Sequence, residues 1–371
     1  MRLRTGISAA FASLLLAGPS EAAPRATSIS AGPGITCASL VGGTVDCWGR
    51  DYISGAINHR PTPVPGVTEA VAVSEGIHYS CALLRSGRVT CWGDDGYGQL
   101  GDGATDDSPT PVPVTGISDA IAISAGGYHA CALLQGGGAA CWGRNLHGAL
   151  GNGSRANSSI PVPVSGLTGA TRIYAGTMQE ETCAVLQNGR VRCWGFNGTG
   201  QLGTPRAGDV SAPATVPSIT GASDIATSGG HTCAVLTSGR VRCWGKNSSG
   251  QLGDGTRADS VLPVTVRGLP LASAVAVDPL GYSCALARTG KVYCWGHNPK
   301  NQLGDKRVLG GSSVPVQTVG VSHAVAITTA LGHACALLSG GGAECWGYDD
   351  YGQLGDGGLR PLVRNATPVA F

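Results

Sequence analysis

Fourteen cysteines, arranged as seven pairs with a single spacing, constrain the fold of this chain more than any other feature. Nine residues separate the two cysteines of every pair, and Trp and Gly always follow the second one. These segments contain all seven tryptophans and recur about every 50 residues, so the chain is built from seven copies of one unit. The pairs are Cys37 with Cys47, Cys81 with Cys91, Cys131 with Cys141, Cys183 with Cys193, Cys233 with Cys243, Cys284 with Cys294, and Cys335 with Cys345.

The length and composition of the unit indicate a β-propeller. A repeat of about 50 residues has the size of a four-stranded blade and exceeds most helical solenoid repeats. Sixty Gly and 21 Pro, against only 3 Phe and 2 Met, are typical of many short strands joined by turns. We therefore predict an all-β fold, a seven-bladed β-propeller with four-stranded blades.

The cysteines fit a β-hairpin inside each blade. In the second unit three residues, 85–87, join two short strands, and Gly87 suits the left-handed position of such a loop. Counting outward from the loop places Cys81 opposite Cys91 in a non-hydrogen-bonded pair, where side chains approach most closely. Zinc sites use shorter cysteine spacings. We predict seven structural disulfides, one in each hairpin, with no bound metal and no cofactor.

Strand alternation places each tryptophan on the face opposite its cysteine. Both faces of a blade are then apolar, as packing between two neighbouring blades requires. We predict that the tryptophans form inter-blade core; an aromatic binding platform is the alternative.

The two ends of the repeat region indicate how the ring closes. Residues 26–31 match the strand at 70–75, and residues 366–371 match the Pro-Val-Pro-Val strand of the other units. We predict that the C-terminal strand pairs with the N-terminal blade, which closes the ring and hides both edges. An open solenoid would instead need a polar cap at each end.

The first residues have the layout of a secretory signal. Arg2 and Arg4 precede an apolar stretch over residues 7–17, and small residues follow. We predict a signal peptide over residues 1–22 and one propeller domain over residues 23–371; an uncleaved membrane anchor is the alternative. We expect no membrane span after cleavage, and a location that is secreted, periplasmic or at the cell surface.

The repeated residues resemble a known family. The segment His231–Gly253, which reads HTCAVLTSGRVRCWGKNSSGQLG, is similar to the regulator-of-chromosome-condensation repeat, and the similarity extends over residues 26–371. The resemblance implies a seven-bladed propeller. The best-known member is a nuclear exchange factor for a small GTPase that also binds chromatin, and similar propellers include a secreted bacterial β-lactamase inhibitor. The export signal and the paired cysteines depart from the nuclear pattern and indicate an exported, bacterial-type member.

One unit departs from the common pattern in the loop after its hairpin. The first unit reads Gly-Ala-Ile-Asn at 55–58, where the others carry Gly-Gln-Leu-Gly or, in the third and sixth units, Gly-Ala-Leu-Gly and Asn-Gln-Leu-Gly. Its loop is also about six residues shorter than the others. We interpret the Gly-Gln-Leu-Gly segment as a turn that docks its leucine into the blade rather than as a ligand loop.

Seven equivalent positions, each two residues before the first cysteine, form a second ring of side chains. A metal site built from the three histidines and the glutamate is one interpretation; individually hydrogen-bonded side chains at strand ends is the interpretation we favour. The seven residues are Ile35, Tyr79, His129, Glu181, His231, Tyr282 and His333.

Charge is balanced overall but unevenly distributed. A net charge of +2, from 25 basic and 23 acidic residues, argues against nucleic acid as a partner, since such binding needs a concentrated basic surface. Aspartates cluster in the loops of units seven, one and two, and basic residues in units four to six, so the rim has the polarity to steer a partner. The predicted binding residues are Asp94, Asp95, Tyr97, Asp102, Tyr348, Asp349, Asp350 and Tyr351.

These observations favour a non-catalytic protein. We predict an exported, monomeric scaffold whose long rim loops bind a protein at the cell surface or outside the cell. A glycan-binding or glycan-processing surface protein is the alternative, although the sequence shows neither clustered surface tryptophans nor paired catalytic carboxylates. A guanine-nucleotide exchange factor is the third candidate.

Overall fold

Seven antiparallel sheets make up the fold. The computed structural model describes residues 24–204, 208–358 and 363–371, and the predicted signal peptide, residues 1–22, lies outside them. The described residues form 28 strands in seven four-stranded sheets, without a helix, which confirms the predicted all-β propeller of seven blades.

In chain order the strands are β1 (Ala26–Gly32), β2 (Ile35–Leu40), β3 (Val45–Arg50), β4 (Ile57–Pro63), β5 (Ala70–Glu75), β6 (Tyr79–Leu84), β7 (Val89–Gly93), β8 (Ser108–Pro113), β9 (Ala120–Ala125), β10 (His129–Leu134), β11 (Ala139–Gly143), β12 (Ser158–Pro163), β13 (Ala170–Ala175), β14 (Glu181–Leu186), β15 (Val191–Gly195), β16 (Val210–Thr215), β17 (Ala222–Ser228), β18 (His231–Leu236), β19 (Val241–Gly245), β20 (Ser260–Thr265), β21 (Ala272–Asp278), β22 (Tyr282–Ala287), β23 (Val292–Asn298), β24 (Gly310–Gln317), β25 (Ala324–Ala330), β26 (His333–Leu338), β27 (Ala343–Gly347) and β28 (Val363–Pro368).

The hairpin at the centre of each blade has the predicted register. Leu83 pairs with Val89, and Cys81 pairs with Cys91. Gly87 has a φ of 80°, which a three-residue loop requires and which costs glycine little. Seven disulfides join the predicted cysteine pairs, with Cα atoms 4.0–4.1 Å apart. Each blade is therefore fastened across its two middle strands.

The core lies between the blades. Each cluster of buried apolar residues joins the disulfide hairpin of one blade to the tryptophan of the next, as where Cys81 and Cys91 pack with Trp142. The tryptophans are at most 9% exposed, so they are inter-blade core as predicted and not a surface platform.

The predicted mode of ring closure is wrong. The C-terminal strand β28 pairs with β27 inside blade seven, and β1 pairs with β2 inside blade one, so every blade consists of four consecutive strands. The Pro-rich strand that ends each repeat pairs with the hairpin before it, which is why no blade needs a strand from the other end of the chain. Side-by-side contact closes the ring instead, including a bond from the Trp48 indole N–H to the Gln353 carbonyl.

Among the described residues there is no helix with the length and apolar character of a membrane span.

Candidate functional site on the loop face

The loops between the third and fourth strands of all blades lie at one end of the ring, here called the loop face. The boundary between two neighbouring blades is here called a seam. In blades two to seven each such loop folds over the seam to the following blade. Blade two is typical: Leu100 is fully buried against Trp142 of blade three, and its N–H donates to Asp95 Oδ1 at 2.8 Å. The Gly-Gln-Leu-Gly segment is thus the docked turn that the sequence predicts.

A second hydrogen bond locks each docked turn. The carbonyl just before the buried leucine accepts the indole N–H of the tryptophan in the following blade, as Gln99 does from Trp142 at 2.9 Å. Six seams have this bond, and the acceptors are Gln99, Ala149, Gln201, Gln251, Gln302 and Gln353.

Two predicted binding residues belong to these turns and not to the surface. Asp95 and Asp349 are both fully buried, and each accepts the backbone N–H of the turn leucine five residues later. Burial raises the pKa of Asp95 to about 6. Their burial keeps both carboxylates out of reach of a partner on the rim, and their role is to hold the turn.

The other predicted residues of blade seven form an exposed group. The Tyr348 hydroxyl donates to Asp350 at 2.5 Å, and the Tyr348 and Tyr351 rings meet edge to face with centroids 6.2 Å apart. Lys300 of blade six lies 5.1 Å from the centroid of the Tyr348 ring. This group therefore combines a carboxylate, two aromatic rings and a cation at the blade six to blade seven side of the rim.

The structure places Tyr97 in a different group. Tyr97 is 38% exposed and meets Tyr128 of blade three edge to face at 5.4 Å. Arg144 lies 4.9 Å from the Tyr97 centroid and bonds Glu180 at 2.9 Å. The predicted tyrosine anchors are thus divided between two patches, with blade one between them.

Sequence reasoning missed the residues that lie between the two patches. The Arg50 guanidinium lies 5.0 Å from the ring centroid of Tyr52 and 5.4 Å from that of Tyr351, across the seam between blades one and seven. The signal was present in the sequence, because Arg-Asp-Tyr follows Trp-Gly directly in the one unit with a short loop.

Exposed carboxylates of this sector form no ion pair within the part of the chain that the structure describes. Asp94 and Asp102 accept only local backbone N–H groups, from Gly96 and Ala104, and Asp350 accepts the Tyr348 hydroxyl. The four ion pairs seen among the described residues lie in blades three, four and six. Basic residues of blades four to six are divided between the two ends of the ring, since Arg190 and Arg240 lie at the hairpin turns opposite the loop face.

The histidines of the second ring link neighbouring blades. His129 Nε2 is 2.9 Å from Thr182 Oγ1 of the next blade, and His231 and His333 contact Ser283 and Thr36 in the same way. All three imidazoles are fully buried, and burial lowers their pKa to about 4, 3 and 4 in chain order. This geometry is that of hydrogen-bonded strand-end side chains and not of ligands converging on one metal.

One group of three metal-binding residue types occurs elsewhere in the described part of the chain. Cys37, Cys47 and Glu75 place ligand atoms within 4.8 Å of one another. Both sulfurs belong to a disulfide, which lacks the thiolate that binds metals.

Comparison with solved structures finds the same fold in several proteins. Human WBSCR16 is 21% identical, with a TM-score of 0.75 over 85% of this chain and 86% of that one. Yeast RCC1 (Prp20), in its crystal structure with Kap60, is 18% identical, with a TM-score of 0.78 over 93% and 85%. The ectodomain of the receptor kinase CR4 of Physcomitrella patens is 22% identical, with a TM-score of 0.56 over 87% and 73%.

Sequence comparison finds the repeat itself. Human protein RCC2 is 33% identical over 95 residues, which are 24% of this chain and 17% of that protein, so the match spans a small part of its length. Two models of the regulator of chromosome condensation (RCC1) repeat match residues 86–133, 137–179, 188–235 and 238–278, and residues 70–99, 120–149, 222–251 and 281–302. These segments together cover more than half of the chain and contain disulfide hairpins and docked turns of the kind described above, and the chain therefore belongs to the RCC1 repeat family.

Proposed function

We propose that this protein is an exported, monomeric, non-catalytic scaffold that binds a protein partner through its loop face. The RCC1 propeller is a protein-interaction fold; yeast RCC1, for example, was solved bound to Kap60. Seven disulfides suit an oxidising compartment outside the cytoplasm, and a receptor-kinase ectodomain has a similar fold.

The observation that carries the proposal is the unpaired acidic surface beside exposed tyrosines. Asp94, Asp102 and Asp350 face solvent wholly or in part, and no ion pair among the described residues involves them. Carboxylates without a partner steer a basic protein surface during association. Tyr97 and Tyr351 add aromatic contact area of the kind that anchors protein interfaces. The partner we propose therefore has a basic patch flanked by apolar side chains.

Burial of the tryptophans supports a protein partner over a glycan. Sugar binding commonly uses exposed aromatic faces, whereas six of the seven tryptophans here are enclosed between two blades and Trp92 is 9% exposed.

Affinity capture with the purified chain, comparing variants, tests the proposal. The triple substitution Asp94→Asn, Asp102→Asn and Asp350→Asn removes three charges but keeps an oxygen to accept each local hydrogen bond. We expect it to abolish capture of the partner, and the wild type to lose the partner as the salt concentration rises.

The matched control is Asp254→Asn, because Asp254 occupies in blade five the repeat position of Asp102 and likewise accepts a backbone N–H two residues later. It should capture the partner as the wild type does. Equal capture by the triple variant and the wild type, or capture insensitive to salt, would contradict an acidic docking surface.

A further inference from the structure

Blade one lacks the docked turn, and the seam between blades one and two is consequently open. Its loop is a tight hairpin in which the Asp51 N–H bonds the Ala56 carbonyl and β3 and β4 stay paired as far as Arg50 and Ile57. Asp51 occupies the repeat position of Asp95, but its Oδ1 accepts the N–H of Ile53 within the same loop. No leucine from blade one therefore reaches blade two.

A cavity of about 170 Å³ remains where the turn is missing. Its walls include the Trp48 and Trp92 rings and Ile35, and it opens beside Tyr52 and His78 on the loop face. Trp92 is 9% exposed, against 0–1% for the other six tryptophans. An apolar cavity of roughly 150 Å³ suffices to hold a benzene-sized group, so this one has room for an aliphatic side chain with part of its backbone.

Two donors that line this cavity lack the turn carbonyl that their counterparts bond in the other seams. The Trp92 indole N–H has no acceptor among the described residues, whereas its six counterparts all bond a turn carbonyl. Ser80 occupies the position of Thr232 and Ser283, whose hydroxyls also donate to a turn carbonyl, at 2.8 and 2.9 Å. In blade two that hydroxyl turns to Glu75 instead, at 2.6 Å.

Glu75 makes the cavity chemically distinct from the filled seams. The carboxyl is 2% exposed, and its Oε1 has no partner in the described chain. The residues at the same register position of the other blades are Ala31, Ala125, Ala175, Thr227, Val277 and Thr329. A buried carboxyl with one free oxygen is costly unless a ligand pairs with it, and the Trp92 indole N–H lines the same cavity.

We propose that this cavity is a docking site for a leucine-bearing turn of another protein, which occupies the place that the chain's own turn fills in the other six seams. The leucine side chain lies against Trp92, the preceding backbone carbonyl accepts the Trp92 indole N–H, and the turn's backbone N–H groups face Glu75. This site is separate from the acidic surface proposed above and involves none of its three aspartates.

Nuclear magnetic resonance of the seven indole N–H groups tests the proposal directly. The probe is a cyclic peptide with the sequence of residues 96–103, Gly-Tyr-Gly-Gln-Leu-Gly-Asp-Gly, which forms the docked turn of blade two. We expect a saturable shift of the Trp92 indole resonance that is larger than that of any of the other six. Replacing the peptide leucine with serine should abolish the shift, because the apolar contact is lost.

Two protein variants separate the site from general effects on the fold. Trp92→Phe keeps an aromatic side chain but removes the indole donor and part of the ring. Calorimetric titration should show peptide binding weakened by about three- to tenfold or more, at least the equivalent of one hydrogen bond. Trp142→Phe makes the same change in a filled seam and should leave binding unchanged. Because either change can alter stability, the peptide affinity is compared only for variants with wild-type circular dichroism spectra.

Grafting the loop of blade two, residues 94–107, in place of the equivalent residues 50–57 of blade one provides a second test. The grafted turn should fill the cavity, move the Trp92 indole resonance toward the other six and abolish peptide binding. No shift of Trp92 at saturating peptide, an equal shift with the serine peptide, or a shift with benzene but not with the peptide would each overturn the proposal.

Discussion

At the scale of single residues, buried polar side chains join one blade to the next. His129, His231 and His333 each place Nε2 against a hydroxyl of the following blade, and Tyr79 and Tyr282 donate to a backbone carbonyl of the following blade. An imidazole in such a position must stay neutral, because protonation would bury a charge that has no counter-ion. The seams therefore respond to acid at these histidines.

This gives the first prediction, for His129→Gln, in which an amide replaces the imidazole facing Thr182. Burial holds the pKa of His129 at about 4, below the unfolded value of 6.5. As the pH falls from 6.5 to 4, the unfolded chain takes up a proton that the folded one does not, so the stabilisation from neutral His129 is lost. The variant lacks this titration. Its deficit in unfolding free energy should therefore shrink toward pH 4, by up to about 3 kcal/mol.

Guanidinium unfolding with the disulfides intact measures that deficit at a series of pH values. Comparing the variant with the wild type cancels the opposite contribution of buried carboxyls such as Glu75 and Asp278, whose pKa values burial raises to about 8 and 7. A deficit that stays constant from pH 7.5 to 4 would show that His129 is not a buried neutral imidazole.

At the scale of elements, the docked turn is the unit that closes a seam. Gly101 ends the turn of blade two with a φ of 72°, and a Cβ there would lie 2.7 Å from the Trp142 indole nitrogen. Gly103, two residues later, has a φ of 101°, but a Cβ there would meet nothing closer than 3.7 Å. The positive φ strains an L residue at both positions, but only a Cβ at Gly101 would also push the turn away from Trp142.

We therefore expect Gly101→Ala to destabilise the protein more than Gly103→Ala. The additional loss should be about 1–3 kcal/mol, the range found for overpacking a filled core. Denaturant unfolding gives both free energies. If the two variants lose the same free energy, the turn is not held tightly against Trp142.

Strand pairing also shows which features of the fold could be predicted from the sequence and which could not. The register from Cys81 to Cys91 could be counted outward from the three-residue loop, because local geometry fixes it. The pairing partner of the Pro-rich strand could not be predicted in this way, because the same strand can pair with the hairpin on either side of it in sequence. Asp95 was misplaced for a related reason: charge patterning cannot distinguish an exposed carboxylate from one that caps a turn. Asp or Asn three residues after every tryptophan was the signal that the position is structural.

At the scale of the whole molecule, the described disulfides stabilise individual blades and do not link one blade to another. Every disulfide spans 10 positions within one hairpin, so closure between blades seven and one depends on contacts of the kind found in the other seams. These include Thr36 with His333, Trp48 with Gln353, and the edge-to-face packing of Phe371 on Trp48. The open seam between blades one and two has none of the turn contacts and is the place where the ring is least filled.

Because each blade consists of four consecutive strands, the stability of a circular permutant should depend on where its new ends lie. Phe371 and Ala26 belong to one hydrophobic cluster at the seam between blades seven and one, where Phe371 packs on Trp48 and the Ala26 N–H bonds the Gly341 carbonyl. A circular permutant that joins residue 371 to residue 24 by a short linker, and begins at Gly66 between blades one and two, keeps all seven sheets intact. We expect it to unfold with a free energy within about 1 kcal/mol of the wild type.

A permutant that begins at Ala104, inside the loop of blade two, separates β8 from its own hairpin in sequence. It should be less stable, because pairing β8 with its hairpin then closes a loop of nearly the whole chain and costs more conformational entropy. Had the ring closed by exchange of a strand between the first and last blades, the order of the two permutants would be reversed, so denaturant unfolding of the pair decides between the two modes of closure.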